Sequence, residues 1–219
     1  MVTAHIWVEG KADQKFLADV MKVWFDLTFN TKDFSCREEN RRVDLRIQDL
    51  GGKNTFQTAR ISAAFRQNND QGVQNIVILD ADDIATQRQM LDLIKQELGI
   101  EFPYFLLPDN QSNGELENLL EQIIHPQNRV ILDCWEGYEN CVGQHDNPVR
   151  PGHKYTIPAK KSKIYSYLEV LLGETDSEKE LAKDPKRDFT NPNHWILDGD
   201  NSPLKPLKDF LENQFNFTK

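Results

Sequence analysis

The sequence predicts an α/β fold: a mostly parallel four-stranded sheet flanked by helices, with a mainly helical C-terminal extension. Three observations lead there. Apolar runs of strand length alternate with amphipathic runs of helix length through the first half, as in βα units that cover a sheet on both faces. Two of these runs, Ile6-Trp7-Val8 and Ile76-Val77-Ile78-Leu79, have the unbroken apolar character of buried strands, and each ends in acidic residues. Beyond Gly114 the period turns helical. The expected organisation is therefore an α/β domain over residues 1–125 and a helical extension over 126–219 packed on the same domain.

Taken in order, Ala4 to Val8 reads as a buried strand. Asp13 to Leu27 reads as a helix, with Phe16, Leu17, Val20, Val23, Trp24 and Leu27 at i, i+3, i+4 spacing. Val43 to Ile47 alternates apolar and polar residues, the pattern of a half-exposed or edge strand. After the break at Gly51-Gly52, a helical period runs from Asn54 to Phe65. Asn75 to Leu79 is a central strand, and Asp83 is placed to cap a helix from Ile84 to Leu98 that Gly99 closes. Pro103 to Leu107 supplies the fourth strand. Helices follow over Glu115–Ile124, Asn128–Cys141 and Lys161–Leu172, then an irregular stretch from Asp184 to Pro203 and an amphipathic helix from Leu207 to Phe215.

A chain of 219 residues is long enough for a sizeable core, and no linker or low-complexity run divides it. No apolar stretch is long enough to span a bilayer, and the Met1–His5 start lacks the features of a signal peptide, so the expectation is a cytoplasmic protein without a membrane partner. Three cysteines, Cys36, Cys134 and Cys141, suit reduced thiols. The formal charge of −9 argues against a broad duplex-binding face, because phosphate binding rests on Lys and Arg that release counterions. Local basic clusters remain at Arg37, Arg41, Arg42 and Arg46, and at Lys154, Lys160, Lys161 and Lys163.

The acidic strand ends carry the chemistry. Open α/β sheets place their sites at the C-terminal ends of strands, and carboxylates there are hard oxygen donors suited to Mg²⁺ or Mn²⁺. Asp80 and Asp82 are two apart, so on an extended backbone both would face one side, and Glu9 would join them if the two strands are neighbours. Such close like charges repel unless a cation or a proton relieves them. Gly10 offers space for substrate or metal, and Lys11 follows it directly. Gly51-Gly52-Lys53 is too short for a Walker loop, but Gly52 and Lys53 are candidate phosphate contacts at a helix start. Zinc is disfavoured, since the seven-residue spacing of Cys134 and Cys141 does not match structural sites.

Glu9-Gly10 and Asp80-Ala81-Asp82 together resemble the Toprim fold, and Val8 to Leu17 is similar to its nuclease branch. The segment Leu107-Pro108-Asp109-Asn110, with Gly114 to Leu120, resembles an element of the OLD-like nucleases within that group. The resemblance covers about the first 125 residues and, more weakly, Lys160 to Lys163. It implies a Mg²⁺- or Mn²⁺-dependent phosphodiester hydrolase acting on DNA, RNA or a related phosphoester. In that scheme Asp80 and Asp82 hold the metal, Glu9 serves acid/base chemistry or bridges metals, Glu117 completes a second site with Asp109 as the next choice, and Lys163 neutralises a developing oxyanion. The alternative is a non-catalytic Toprim-like module that binds metal or nucleotide and acts with a protein partner in a larger assembly.

Overall fold

The computed structural model describes residues 2–52, 55 and 58–215. Strand β1 spans Val2–Val8, β2 Ser35–Glu38, β3 Val43–Asp49, β4 Gln74–Asp80 and β5 Tyr104–Leu107. They form one sheet in the order β2-β3-β1-β4-β5, parallel throughout except for the antiparallel β2–β3 edge. The sheet thus has five strands, not the expected four. The additional strand, Ser-Cys-Arg-Glu, buries only Cys36 and so carries no apolar pattern.

Side-chain alternation on the central strands sorts the core into two layers. Ala4, Ile6 and Val8 of β1, Ile76 and Ile78 of β4, and Phe105 and Leu107 of β5 face one side. Trp7, Val77, Leu79 and Leu106 face the other. Helices α2 (Ala59–Asp70) and α3 (Ile84–Leu98) cover that second face through Ile61, Phe65, Leu91 and Ile94, with Trp7 stacked on Phe65 at 4.8 Å between ring centroids. Asp83 accepts a hydrogen bond from Thr86 N and Gly99 adopts φ 66°, so both caps of α3 are those expected. Helix α2 starts later than the sequence period suggests and runs on to Asp70. Its Asn68 is buried and donates to Asn75 Oδ1 at 2.8 Å, and the same oxygen accepts from Trp7 Nε1 at 2.9 Å. Of the segment expected to open this helix, residues 54, 56 and 57 lie outside the described residues.

The first face is covered by α1 (Lys11–Phe25), α4 (Leu116–Ile123), α6 (Lys160–Leu172) and α8 (Lys205–Phe215), whose apolar residues join one continuous core with the sheet. Helix α5 (Arg129–Gln144) packs beside α6 and buries only Leu132. The short helix α7 (Asp176–Leu181) escapes the apolar period, although Thr175 and Glu178 form a capping box at its start. Residues after 125 are bound directly into the α/β part. Phe189 packs edge-on against Phe16 at 5.3 Å and its N–H donates to Asp19 Oδ2 at 2.9 Å, while Trp24 Nε1 donates to Leu197 O at 2.8 Å. No helix among the described residues is long and apolar enough to cross a membrane.

Because this core is shared, Phe189→Ala should destabilise the protein by about 3–5 kcal/mol, and circular dichroism and tryptophan fluorescence should report one coincident urea transition. Two separated transitions would show that the C-terminal helices fold as an independent unit.

Candidate functional site

The site arises from strand order. β1 pairs with β3 on one side and β4 on the other, so the chain changes direction across the sheet between β1 and β4, where α/β crevices form at the strands' C-terminal ends. Parallel pairing of β1 and β4 reaches Val8↔Ile78, and both strands then release acidic residues on the same edge: Glu9 after β1 and Asp80 at the end of β4. A pocket of about 750 Å³ opens there.

Two helix starts point into it. Gly10 precedes α1, and its N–H donates to Asp13 Oδ2 at 2.9 Å, turning the Asp13 carboxylate back toward Glu9. Helix α4 is moored by Leu116 N–H, which donates to Asp80 Oδ1 at 2.8 Å and brings Glu117 in beside the strand ends. Glu9, Asp13, Asp80 and Glu117 all line the pocket. Burial is the largest influence on Asp80, followed by the charges of Asp13 and Glu9, and together they push its pKa up to about 8. Burial, with Glu9 and Glu117, raises Asp13 to about 7 against the opposing Gly10 hydrogen bond. Burial also raises Glu117, with Glu115 adding to the shift and Lys161 and Arg187 opposing it.

The facing wall is basic. Lys160 donates to Asn118 Oδ1 at 2.9 Å and lies 3.3 Å from Glu115, while Lys161 pairs closely with Asp184. Lys163 is buried between Glu121 and Glu139, at 3.4 and 3.5 Å. Behind Asp184, the fully buried Arg187 lies over the Tyr165 ring at 4.5 Å, donates from Nε to Ala182 O, and meets Asp184 Oδ1 at 3.0 Å. The Arg187–Asp184 contact lacks hydrogen-bond alignment and acts as charge against charge. Eight carboxylates against four lysines line the pocket, so it remains a net-negative cavity that favours a cation or protons.

The residues singled out by sequence divide accordingly. Glu9, Gly10, Lys11, Asp80, Glu117 and Lys163 line the pocket. Asp82 is not among its lining residues: β4 ends at Asp80 and Asp82 takes φ 45°, so the two-residue alternation no longer holds, and the carboxylate sits exposed. Asp109 is also absent from the lining. It accepts hydrogen bonds from Gln111 N, Ser112 N and Ser112 Oγ and closes its own loop. Gly52 is left outside as well, its N–H committed to Glu9 O at 3.0 Å instead of being offered to a phosphate, and Lys53 lies outside the described residues. At Gly10 an added Cβ would make an ordinary 3.5 Å contact with Asp13 Oδ2, so its contribution is the N–H, not the missing side chain. Gly114, just before α4, is a glycine that packing demands, with φ 155° and a Cβ position 2.9 Å from both Asn118 Oδ1 and Pro108 Cδ.

Asp13 enters the sequence argument only as a helix start and Lys161 only within a basic cluster, so neither is singled out for the site. Asp13 carries a signal, since an acidic residue in the first helical turn after Glu-Gly can return to the strand end. Lys161 shares a basic run with Lys163, and only the turn of α6 decides which of them approaches Glu117.

The raised aspartates give a pH prediction. A folded-state carboxyl pKa above its unfolded value of 3.8 means the folded protein prefers the protonated form, so this stability is complete below that value and is lost as pH rises through about 7 to 8. In chelator, the melting temperature should fall on going from about pH 5 to about pH 8, and Asp80→Asn should flatten that fall. Identical slopes for the two proteins would contradict the assignment.

No curated protein and no solved structure matches the chain. The model of the family described as "Protein of unknown function (DUF3226)" matches residues 3–216, and the chain belongs to that family.

Proposed function

We propose that the pocket is a Mg²⁺- or Mn²⁺-dependent phosphodiester hydrolase site of Toprim-like design. The observation that carries this reading is that Glu9, Asp13, Asp80 and Glu117 line one pocket at the β1/β4 crevice, where burial and neighbouring charge raise both aspartates. The fit to a metal rests on donor chemistry. Among the described residues no group of three or more His, Cys, Asp or Glu side chains is already arranged to hold an ion. Mg²⁺ does not require one, because it is commonly held by one or two carboxylates with water and substrate phosphate completing the shell. Asp80 is the preferred holder, with Asp13 and Glu117 adjacent. When bound, the ion would supply charge neutralisation and a water of lowered pKa.

The chain's own groups have distinct parts. Glu9 accepts or returns a proton at the reacting phosphate. Burial and neighbouring charge favour the protonated forms of Asp13 and Asp80, which lowers the negative charge of the pocket. Lys160 and Lys161 offset charge on the phosphate from the opposite wall, while the start of α4 presents its positive end to the same space.

A second reading, a binding module working with a protein partner, is favoured by one observation: each of Lys160, Lys161 and Lys163 is already ion-paired to a carboxylate of the same pocket. Turnover separates the two. The purified protein should hydrolyse a phosphodiester in Mn²⁺ and stop in chelator, and Glu9→Gln should lower kcat by about 10²-fold or more with folding intact. No turnover across DNA, RNA and nucleotide substrates, or undiminished turnover in Glu9→Gln, would favour the binding module.

A further inference from the structure

We infer that Lys161 is a tethered counter-ion for the acidic cluster of the pocket, one whose place a divalent cation takes on binding. This rests on the metal reading of the pocket and specifies which of its own groups balances the carboxylates before the ion arrives.

The three lysines at the start of α6 are committed to different acids. Lys163 is buried and shared between Glu121 and Glu139, and Lys160 is taken by Glu115 and Asn118 at the start of α4. Lys161 serves the strand-end side of the pocket: burial raises the Glu117 pKa, and Lys161 and Arg187 oppose that rise. Its position is set by a tether. Asp184, which lines the same pocket, pairs closely with the Lys161 ammonium through Oδ2, while its Oδ1 lies 3.0 Å from Arg187. Arg187 is fully buried, with Nε donating to Ala182 O at 2.8 Å and the guanidinium 4.5 Å from the centre of the Tyr165 ring. A guanidinium so enclosed does not follow a moving partner, so Asp184 stays in place and keeps Lys161 on the wall that faces Glu117.

A charge held in this way is replaceable. The Lys161 side chain is 49% exposed against 9% for Lys163, so its ammonium can turn into water on a flexible four-carbon stem, which Lys163 cannot do without being desolvated from its partners. Chemistry decides which cation wins. An ammonium is a single point charge that offsets part of the repulsion among carboxylates, whereas a divalent ion carries twice the charge and accepts several oxygens at once. Glu117 and its neighbours therefore exchange the weaker partner for the stronger, and Lys161 is left to Asp184 and solvent.

Two measurements on the full chain test this. In chelator, Lys161→Met should lower stability to urea, and that loss should shrink when Glu117→Gln is already present, because the charge to be balanced is then gone. Calorimetric titration should give Lys161→Met an affinity for Mn²⁺ about five-fold or more above that of the wild type, since the repulsion between ammonium and ion is removed. Lys161→Arg should stay near the wild type in both. A lysine with only a packing role would cost the same stability in either background and leave Mn²⁺ affinity alone. The inference is overturned by additive losses in chelator, by unchanged or weaker Mn²⁺ binding in Lys161→Met, or by an equal gain in Lys160→Met, which would mark a general effect of removing charge. A wild type that binds no Mn²⁺ would overturn the metal reading and the displacement with it; the coupling in chelator is read separately, so the two failures are distinguishable.

Discussion

Parallel pairing of β1 with β4 brings two acidic strand ends to one edge of the sheet, and the repulsion this creates organises the pocket around it. The helices α1 and α4 add their own carboxylates, Asp13 and Glu117, and burial with neighbouring charge disfavours full ionisation of the site. Protons relieve part of that repulsion, which is why burial and neighbouring charge raise Asp80 and Asp13 together. Backbone N–H groups relieve another part: Gly10 donates to Asp13 and Leu116 to Asp80, each from the positive end of a helix.

The rest of the architecture encloses this arrangement in two apolar layers. Both faces of the sheet are covered, and the C-terminal segment returns to pack Phe189 and Trp195 onto α1 and α6, closing the core beneath the pocket. The same return brings Asp184 and Arg187 up behind the basic wall, where the buried guanidinium opposes the rise in Glu117 and Asp184 anchors Lys161. The extension is therefore a structural wall of the site as well as a cover for the sheet.

Much of this was legible in the residues. Uninterrupted apolar runs identified the buried strands, and Glu9 and Asp80 stood out because each follows such a run. Asp82 misled because alternation belongs to extended backbone, and the left-handed φ at Asp82 lies just beyond the strand. Asp109 misled because an acidic loop residue looks alike whether it serves a metal or its own turn, and here it serves the turn. β2 was invisible with one buried side chain in four residues. Asp13 and the choice of Lys161 over Lys163 depend on how α1 and α6 are rotated against the strand ends, a tertiary fact that helical periodicity alone does not supply.

The central claim is that buried carboxylates at the β1/β4 edge hold protons that a divalent cation displaces. Isothermal titration with Mn²⁺ at pH 7, repeated in buffers of different ionisation enthalpy, counts those protons directly. The account predicts net proton release on binding, lost in Asp80→Asn. Binding with no proton release in the wild type, or no binding of a divalent cation at all, would contradict it.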